Sequence, residues 1–505
     1  MIYYKSEADS KDFRILSNIK KPIVGSLDLP NVMSGIPDWV YEEEIYGTGD
    51  ATWFSNDGNF IAWAEFNDTD VGKIELPKYG DFGVEKHLYM DEISFPYPKS
   101  GTKNPDTKLF ISNVGMTETK TINLPQPVSK SNPSDYSILW LVQFEDNNVY
   151  ITWSNRIQNK ALTIKCKTSL NLKDFVYDCE EKFYRSSSTG WLQNLEKPFY
   201  RVGNSHYWIN YCDDYEKIVS AEDNRCLTDD QLNVKKILSS GENYIEFLGR
   251  RTDFLENSMQ PGQQIYRYSF SDAKTTCVSC SFDDEILSGC TSFSAETRSS
   301  YNVGLTDCLG PGPAYSVISS SDKILKTITT NSKLRKELEN TYVPSITYFI
   351  IEIKGYKFSA KLKHPADFGD KHYEAKDIPL LVNVYAGPDQ MKVDDNYGLD
   401  FHDWLVTNKS MAVLEIDGRG SATSTVEVLH SVYKNLGDFE IEDQISGVKQ
   451  TLEKFSGIDK ERVGIWGWSY GGYATLRVLS SENGPGVFKC GASVAPVVDW
   501  RLYRK

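Results

Sequence analysis

The sequence predicts a chain in two parts, a long β-rich region followed by a shorter α/β region built on parallel strands. Three observations carry that expectation. The 505 residues are enough for two or more cores. Aromatic side chains make up 13% of them, including 30 Tyr and 11 Trp, a load that suits strands. The hydrophobic pattern then changes near residue 341, from short interrupted runs to continuous apolar ones.

Residues 1–338 read as many short strands. The segment ATWFSNDGNFIAWAEF (51–66) sets two aromatic-rich runs around Asn56-Asp57-Gly58, a hairpin signal. Similar runs recur at SILWLVQF, NVYITWS, HYWINYC, NYIEFLGR, QIYRYSF and YNVGLTDC, separated by Asp, Asn, Ser and Gly. They follow no strict period. Strands at this density, without long helical patterns, suggest a β-propeller or an array of sandwiches, and the region's length favours the propeller. The polar stretch TNSKLRKELENTYVPS, near 330–345, marks the boundary.

Residues 341–505 carry the α/β signals. IPLLVNVY (378–385), MAVLEI (411–416) and RVGIWG (462–467) are near-continuous apolar runs, as expected of parallel strands covered on both faces. Between the last two, Ile441, Ile445, Val448, Leu452 and Phe455 recur at spacings of four and three, predicting a helix with one buried stripe that stops at Ser456-Gly457. Strand, helix and strand in succession make the right-handed crossover of an α/β sheet.

Charge and cysteines narrow the class. A formal net charge of −15 argues against nucleic-acid binding, which needs a basic surface. No stretch reaches the roughly 18–20 apolar residues of a membrane span, and the first twenty residues lack the apolar core of a signal peptide. Eight of the nine cysteines fall between positions 166 and 308 at short separations, and Cys490 stands apart. CVSC (277–280) could be a redox motif or a zinc knuckle, but no second CxxC or nearby His pair completes a site, so short-loop disulfides of an oxidising compartment fit better, and no metal is expected. The triplets Asn67-Asp68-Thr69 and Asn408-Lys409-Ser410, candidate glycosylation sites, agree with that compartment.

The chemistry centres on Gly467-Trp468-Ser469-Tyr470-Gly471. This GxSxG follows a buried strand and opens a helix, the setting in which glycines permit a cramped turn that aims a serine hydroxyl outward and turns the next amide, here that of Tyr470, toward an oxyanion.

GWSYGGY (467–473), VYAGP (384–388), DGRGS (417–421), FKCG (488–491) and DWVYEEE (38–44) closely resemble the dipeptidyl peptidase IV family of prolyl-oligopeptidase-like serine peptidases. The resemblance extends through AEFNDT (64–69), RIQN (156–159) and STGW (188–191), nearly the whole chain. It implies an eight-bladed propeller (1–338, its first strands missing) followed by a partial α/β-hydrolase domain (341–505). It also implies release of X-Pro or X-Ala dipeptides from peptide N-termini, with no cofactor. Ser469 would be the nucleophile, and Tyr385 and the Tyr470 amide the oxyanion donors. Tyr470, Val497, Trp500 and Tyr503 would line the pocket before the scissile bond, although Val497 and Trp500 read equally well as core. Glu43 and Glu44 would bind the substrate's free amine, where the residues alone suggest only a solvated helix face capped by Asp38. By the same resemblance the disulfides pair Cys166 with Cys179, Cys212 with Cys226, Cys277 with Cys280, and Cys290 with Cys308. The partner of Cys490 would lie beyond Lys505. The family location is extracellular or cell-surface, as a homodimer when full length, held to the membrane by an anchor this chain does not carry.

Two departures stand out. The family's triad acid and histidine lie downstream of the serine, yet residues 470–505 hold only Glu482 and Asp499 as carboxylates and no histidine. The family's Arg-Phe-Arg after TGW reads Asn194-Leu195-Glu196 here, at the second substrate subsite. The expectation is therefore a fragment of an active peptidase. The alternative is an inactive family member acting as a cell-surface binding module.

Overall fold

The computed structural model describes residues 31–503, with two short strands at 3–4 and 14–15, apart from 81–82, 84–88, 115–119, 128–135, 168–177, 230, 254–260, 297–302, 321–322, 367, 369–377 and 423–424. The chain forms two compact units, residues 1–198 with 499–505, and residues 199–498.

The first unit is built of antiparallel sheets. Thr52–Phe54 pairs with Phe60–Asn67 across the Asn56-Asp57-Gly58 turn, where Gly58 takes the left-handed conformation (φ 71°). Ile138–Glu145, Asn148–Ser154, Lys160–Lys167 and Asp178–Ser186 follow as a four-stranded meander in sequence order. Phe60, Phe66, Leu109, Leu139, Ile151 and Trp153 lie in the core these sheets enclose.

The second unit continues the meanders and then changes plan. Leu232–Ser240, Tyr244–Arg251, Gln264–Ser269 and Lys274–Cys277 form one sheet, and Ser292–Ala295, Val303–Gly310, Tyr315–Ser320 and Lys323–Thr329 the next. Such sequential meanders are the blade pattern of a β-propeller. From Ser345 a six-stranded mixed sheet begins: β1 (Ser345–Ile353), β2 (Tyr356–His364), β3 (Ile378–Val384), β4 (Ala412–Ile416), β5 (Ile458–Trp468) and β6 (Cys490–Val494). The spatial order is β1-β2-β4-β3-β5-β6, with β3 to β6 mutually parallel, β2 antiparallel to β4 and β1 antiparallel to β2.

Two features of this sheet were not expected. The β1–β2 hairpin turns on Lys354-Gly355, both at positive φ (52° and 88°), a primed two-residue turn without the usual Asn-Gly signature. The crossover from β4 to β5 does not join neighbouring strands, because β3 lies between them. Helix α1 (Phe401–Lys409) connects β3 to β4, and α2 (Phe439–Lys454) spans the longer step. Ile441, Ile445, Val448 and Leu452 of α2 pack with Leu380, Val382, Leu414 and Ile465 of the sheet, and this stripe holds the helix in place.

Candidate active site

Ser469 is the single residue between β5 and helix α3 (Tyr470–Ser480). Its backbone sits at φ 57°, ψ −117°, a strained conformation for a residue with a Cβ. The flanking glycines make room. A Cβ on Gly467 would lie 2.2 Å from the Gly471 carbonyl oxygen, and one on Gly471 2.2 Å from that of Val384, at the end of β3. The turn is pinned by the Ser469 N–H donating to Val494 O at 3.0 Å. The Tyr470 amide, first in α3, has no carbonyl within its own helix to bond. Tyr385 directly follows β3, and its ring centroid is 6.2 Å from that of Tyr470. Ser469, Tyr470 and Tyr385 thus converge where the parallel strands end, as expected for ligand sites of α/β sheets.

One face of α3 is fastened to the chain entering α2. Tyr470 Oη donates to Glu440 Oε1 at 2.7 Å, Tyr473 Oη to Leu436 O at 3.3 Å, and Arg477 Nη2 to Gly437 O at 3.0 Å. The Gly437 N–H donates to the same Glu440 oxygen. The other oxygen is buried without a hydrogen-bond partner among the described residues. Burial holds the Glu440 carboxyl above the usual range, against the bonds from Tyr470 and Gly437. This contact was missed. In the sequence Glu440 reads only as an acidic residue in a helix's first turn.

In the first unit, Asp38 caps the turn Trp39–Tyr41, accepting from the Val40 N–H at 2.9 Å and the Tyr41 N–H at 3.3 Å. Glu42–Tyr46 then widens into a π-turn closed by Gly47 (φ 64°), leaving Glu43 and Glu44 exposed. Such bulges are frequent at functional sites. Tyr503 Oη lies 3.5 Å from Glu44 Oε1, and the Trp500 and Tyr503 rings meet edge to face at 5.7 Å. Val497 is half-buried, three residues past β6 in the second unit. Near the cap is Asp68, 1% exposed, with both carboxylate oxygens lacking hydrogen-bond partners among the described residues. Burial, and then the charge of Asp38, push its carboxyl up to about 7, with Lys73 opposing. Asn194 and Leu195 are buried and Glu196 exposed.

Cys166–Cys179, Cys212–Cys226, Cys277–Cys280 and Cys290–Cys308 are each joined, and Cys490 is free and exposed on β6. Cys212, Asp213 and Cys226 form the one cluster with metal-ligand spacing among the described residues, but both sulfurs are spent in a bridge. Asn67 closes an Asx turn, its Oδ1 accepting from the Thr69 hydroxyl at 2.6 Å and N–H at 3.1 Å. Asn408 is exposed near the end of α1. His87 and His372 lie outside the described residues. His206 bonds Glu222, His364 bonds Thr347, His402 bonds Asp400, and the buried His430 packs near Tyr211. No helix among the described residues is long and apolar enough to cross a membrane.

The dipeptidyl peptidase IV N-terminal region family matches residues 2–315, and the prolyl oligopeptidase family residues 398–505. Dipeptidyl peptidase 4 of Sus scrofa is 32% identical over 99% of this chain, and venom dipeptidyl peptidase 4 of Apis mellifera is 32% identical over 99%. The crystal structure of Porphyromonas gingivalis dipeptidyl peptidase 4 superposes over 94% of the chain at TM-score 0.77 and 25% identity. The chain spans 64% of the length of the first two relatives and 63% of the third. These matches fit a β-propeller followed by an α/β-hydrolase sheet, and the chain belongs to the dipeptidyl peptidase IV family.

Proposed function

We propose that the chain carries the nucleophile, oxyanion donors and amine-binding acids of a serine dipeptidyl peptidase releasing X-Pro or X-Ala dipeptides. Residues 1–338 would be the propeller and 341–505 the peptidase domain. The carrying observation is Ser469, held in a strained turn between β5 and α3 with Tyr470 and Tyr385 converging beside it.

In this reading Ser469 Oγ attacks the carbonyl after the second residue of the peptide. The developing oxyanion accepts from the Tyr470 amide and the Tyr385 hydroxyl, donors worth roughly 3 kcal/mol each when set in advance. Glu43 and Glu44 hold the substrate ammonium, so an internal peptide, which has no such charge, is not taken. Val497, Trp500 and Tyr503 would offer an apolar wall to a proline ring. The histidine that takes the serine proton is not within residues 470–505. The disulfides support an extracellular or cell-surface location, the Asn67 and Asn408 triplets offer N-glycan sites there, and the homodimer of the full-length protein rests on the family resemblance.

Sequencing the transcript beyond codon 505 tests this. An in-frame Asp and His downstream, with activity abolished by Ser469→Ala in the translated protein, are expected. A transcript that stops without them would replace the peptidase by a cell-surface binding module.

A further inference from the structure

The eight bridged cysteines are not equivalent. Cys166, Cys290 and Cys308 are buried, Cys179, Cys212, Cys226 and Cys277 are half-buried, and Cys280 alone is exposed. Its bridge to Cys277 spans a sequence separation of 3, against 13, 14 and 18 for the others. Cys277 ends the strand Lys274–Cys277, and Cys280 sits in the short turn Ser279–Ser281. The Cys280 N–H donates to Cys277 Sγ at 3.2 Å.

The turn is also held without the bridge. Val278, buried, donates its N–H to Ile265 O at 2.8 Å, and the Ser281 N–H donates to Val278 O at 3.1 Å. Ser279 Oγ accepts from the Ile265 N–H at 2.9 Å and donates to Gln264 Oε1 at 2.6 Å. By contrast, Cys166–Cys179 ties directly opposed residues of neighbouring strands, and Cys290–Cys308 lies inside a hydrophobic core. A loop this short also contributes least to folding. Loop-closure entropy gives it roughly a 6- to 10-fold smaller effect on the folding constant than the longer loops.

We propose that Cys277–Cys280 is a thiol–disulfide exchange site for an external dithiol. One thiolate of the dithiol attacks Sγ of the exposed Cys280, the S–S bond breaks, and its electron pair passes to Cys277 Sγ. The Cys280 N–H already donates to that sulfur and stabilises the leaving thiolate. The second thiolate of the dithiol then attacks the mixed disulfide, forms the cyclic disulfide and releases Cys280 as thiolate. Two electrons and two protons pass from the dithiol to the cysteine pair, and the backbone bonds keep the turn folded.

Residues 1–505 are titrated at about pH 8 with dithiothreitol, and in a second arm with reduced thioredoxin at equal dithiol concentration. Each point is quenched with iodoacetamide, peptide-mapped and checked by circular dichroism. Cys277 and Cys280 are expected to be half alkylated at roughly one tenth of the dithiothreitol that opens any other bridge, with the spectrum unchanged. Opening by dithiothreitol alone assigns the site to small dithiols, and opening in both arms extends it to protein dithiols. Another bridge opening first, or all four opening together as the spectrum collapses, overturns the proposal.

Discussion

Replacing Asp68 by Asn should change how stability depends on pH. Asp68 is 1% exposed and its carboxylate oxygens have no hydrogen-bond partner among the described residues, so ionisation in the folded state is resisted by burial and by the nearby charge of Asp38. The folded carboxyl titrates at about 7, against 3.8 for the ordinary group. An acid whose pKa rises on folding binds its proton more tightly in the folded state, so its contribution is full below about pH 4 and is lost as pH climbs through about 7. At about 1.36 kcal/mol per unit, the loss is about 4 kcal/mol. Asn cannot ionise, so it removes this dependence. It adds a constant cost of about 1–3 kcal/mol for its own unmet hydrogen bonds. The Asn67-X-Thr69 triplet survives the change. Urea unfolding of both proteins between pH 4 and 8 should show the variant gaining on the parent by about 4 kcal/mol across that range. A difference that stays flat to within about 1 kcal/mol would show that Asp68 does not titrate differently in the folded state.

Glu440→Ala removes the buried acceptor shared by the Tyr470 hydroxyl and the Gly437 N–H and should lower stability by about 2–4 kcal/mol in thermal or urea unfolding, whereas Glu440→Gln keeps an acceptor and costs less. In the protein translated from the full transcript, Glu43→Ala and Glu44→Ala should each remove most dipeptide release while leaving circular dichroism unchanged. Acetylating the substrate amine should do the same, and equal cleavage of free and acetylated peptides would refute the amine anchor.

The order of elements was legible because hydrophobic period survives in sequence. The runs at 138–145, 148–154, 205–212, 244–251 and 264–269 became strands, and the apolar runs became β3, β4 and β5. The Ser469 turn was legible too, since its glycines answer a backbone demand that only glycine meets. What escaped depends on contacts distant in sequence. Nothing in Phe439-Glu440 announces a bond to Tyr470 thirty residues on. The insertion of β3 between β4 and β5 is a choice of packing order, to which local periodicity is blind. Nor does a Glu run show that Glu42–Tyr46 will widen into a π-turn, because its side chains suit an α-helix equally well.

Ser469 is proposed as a nucleophile whose triad acid and histidine are not supplied by residues 470–505. The direct test is to treat the folded 505-residue protein with a fluorophosphonate probe and map the adduct, while measuring turnover of a chromogenic Gly-Pro substrate against pig dipeptidyl peptidase 4 at equal concentration. Any adduct is expected on Ser469, with turnover at least roughly a thousandfold below the pig enzyme, because a serine hydroxyl without a base keeps only the assistance of its oxyanion donors and binding. Turnover within about tenfold of the pig enzyme, or an adduct on another residue, would contradict that assignment.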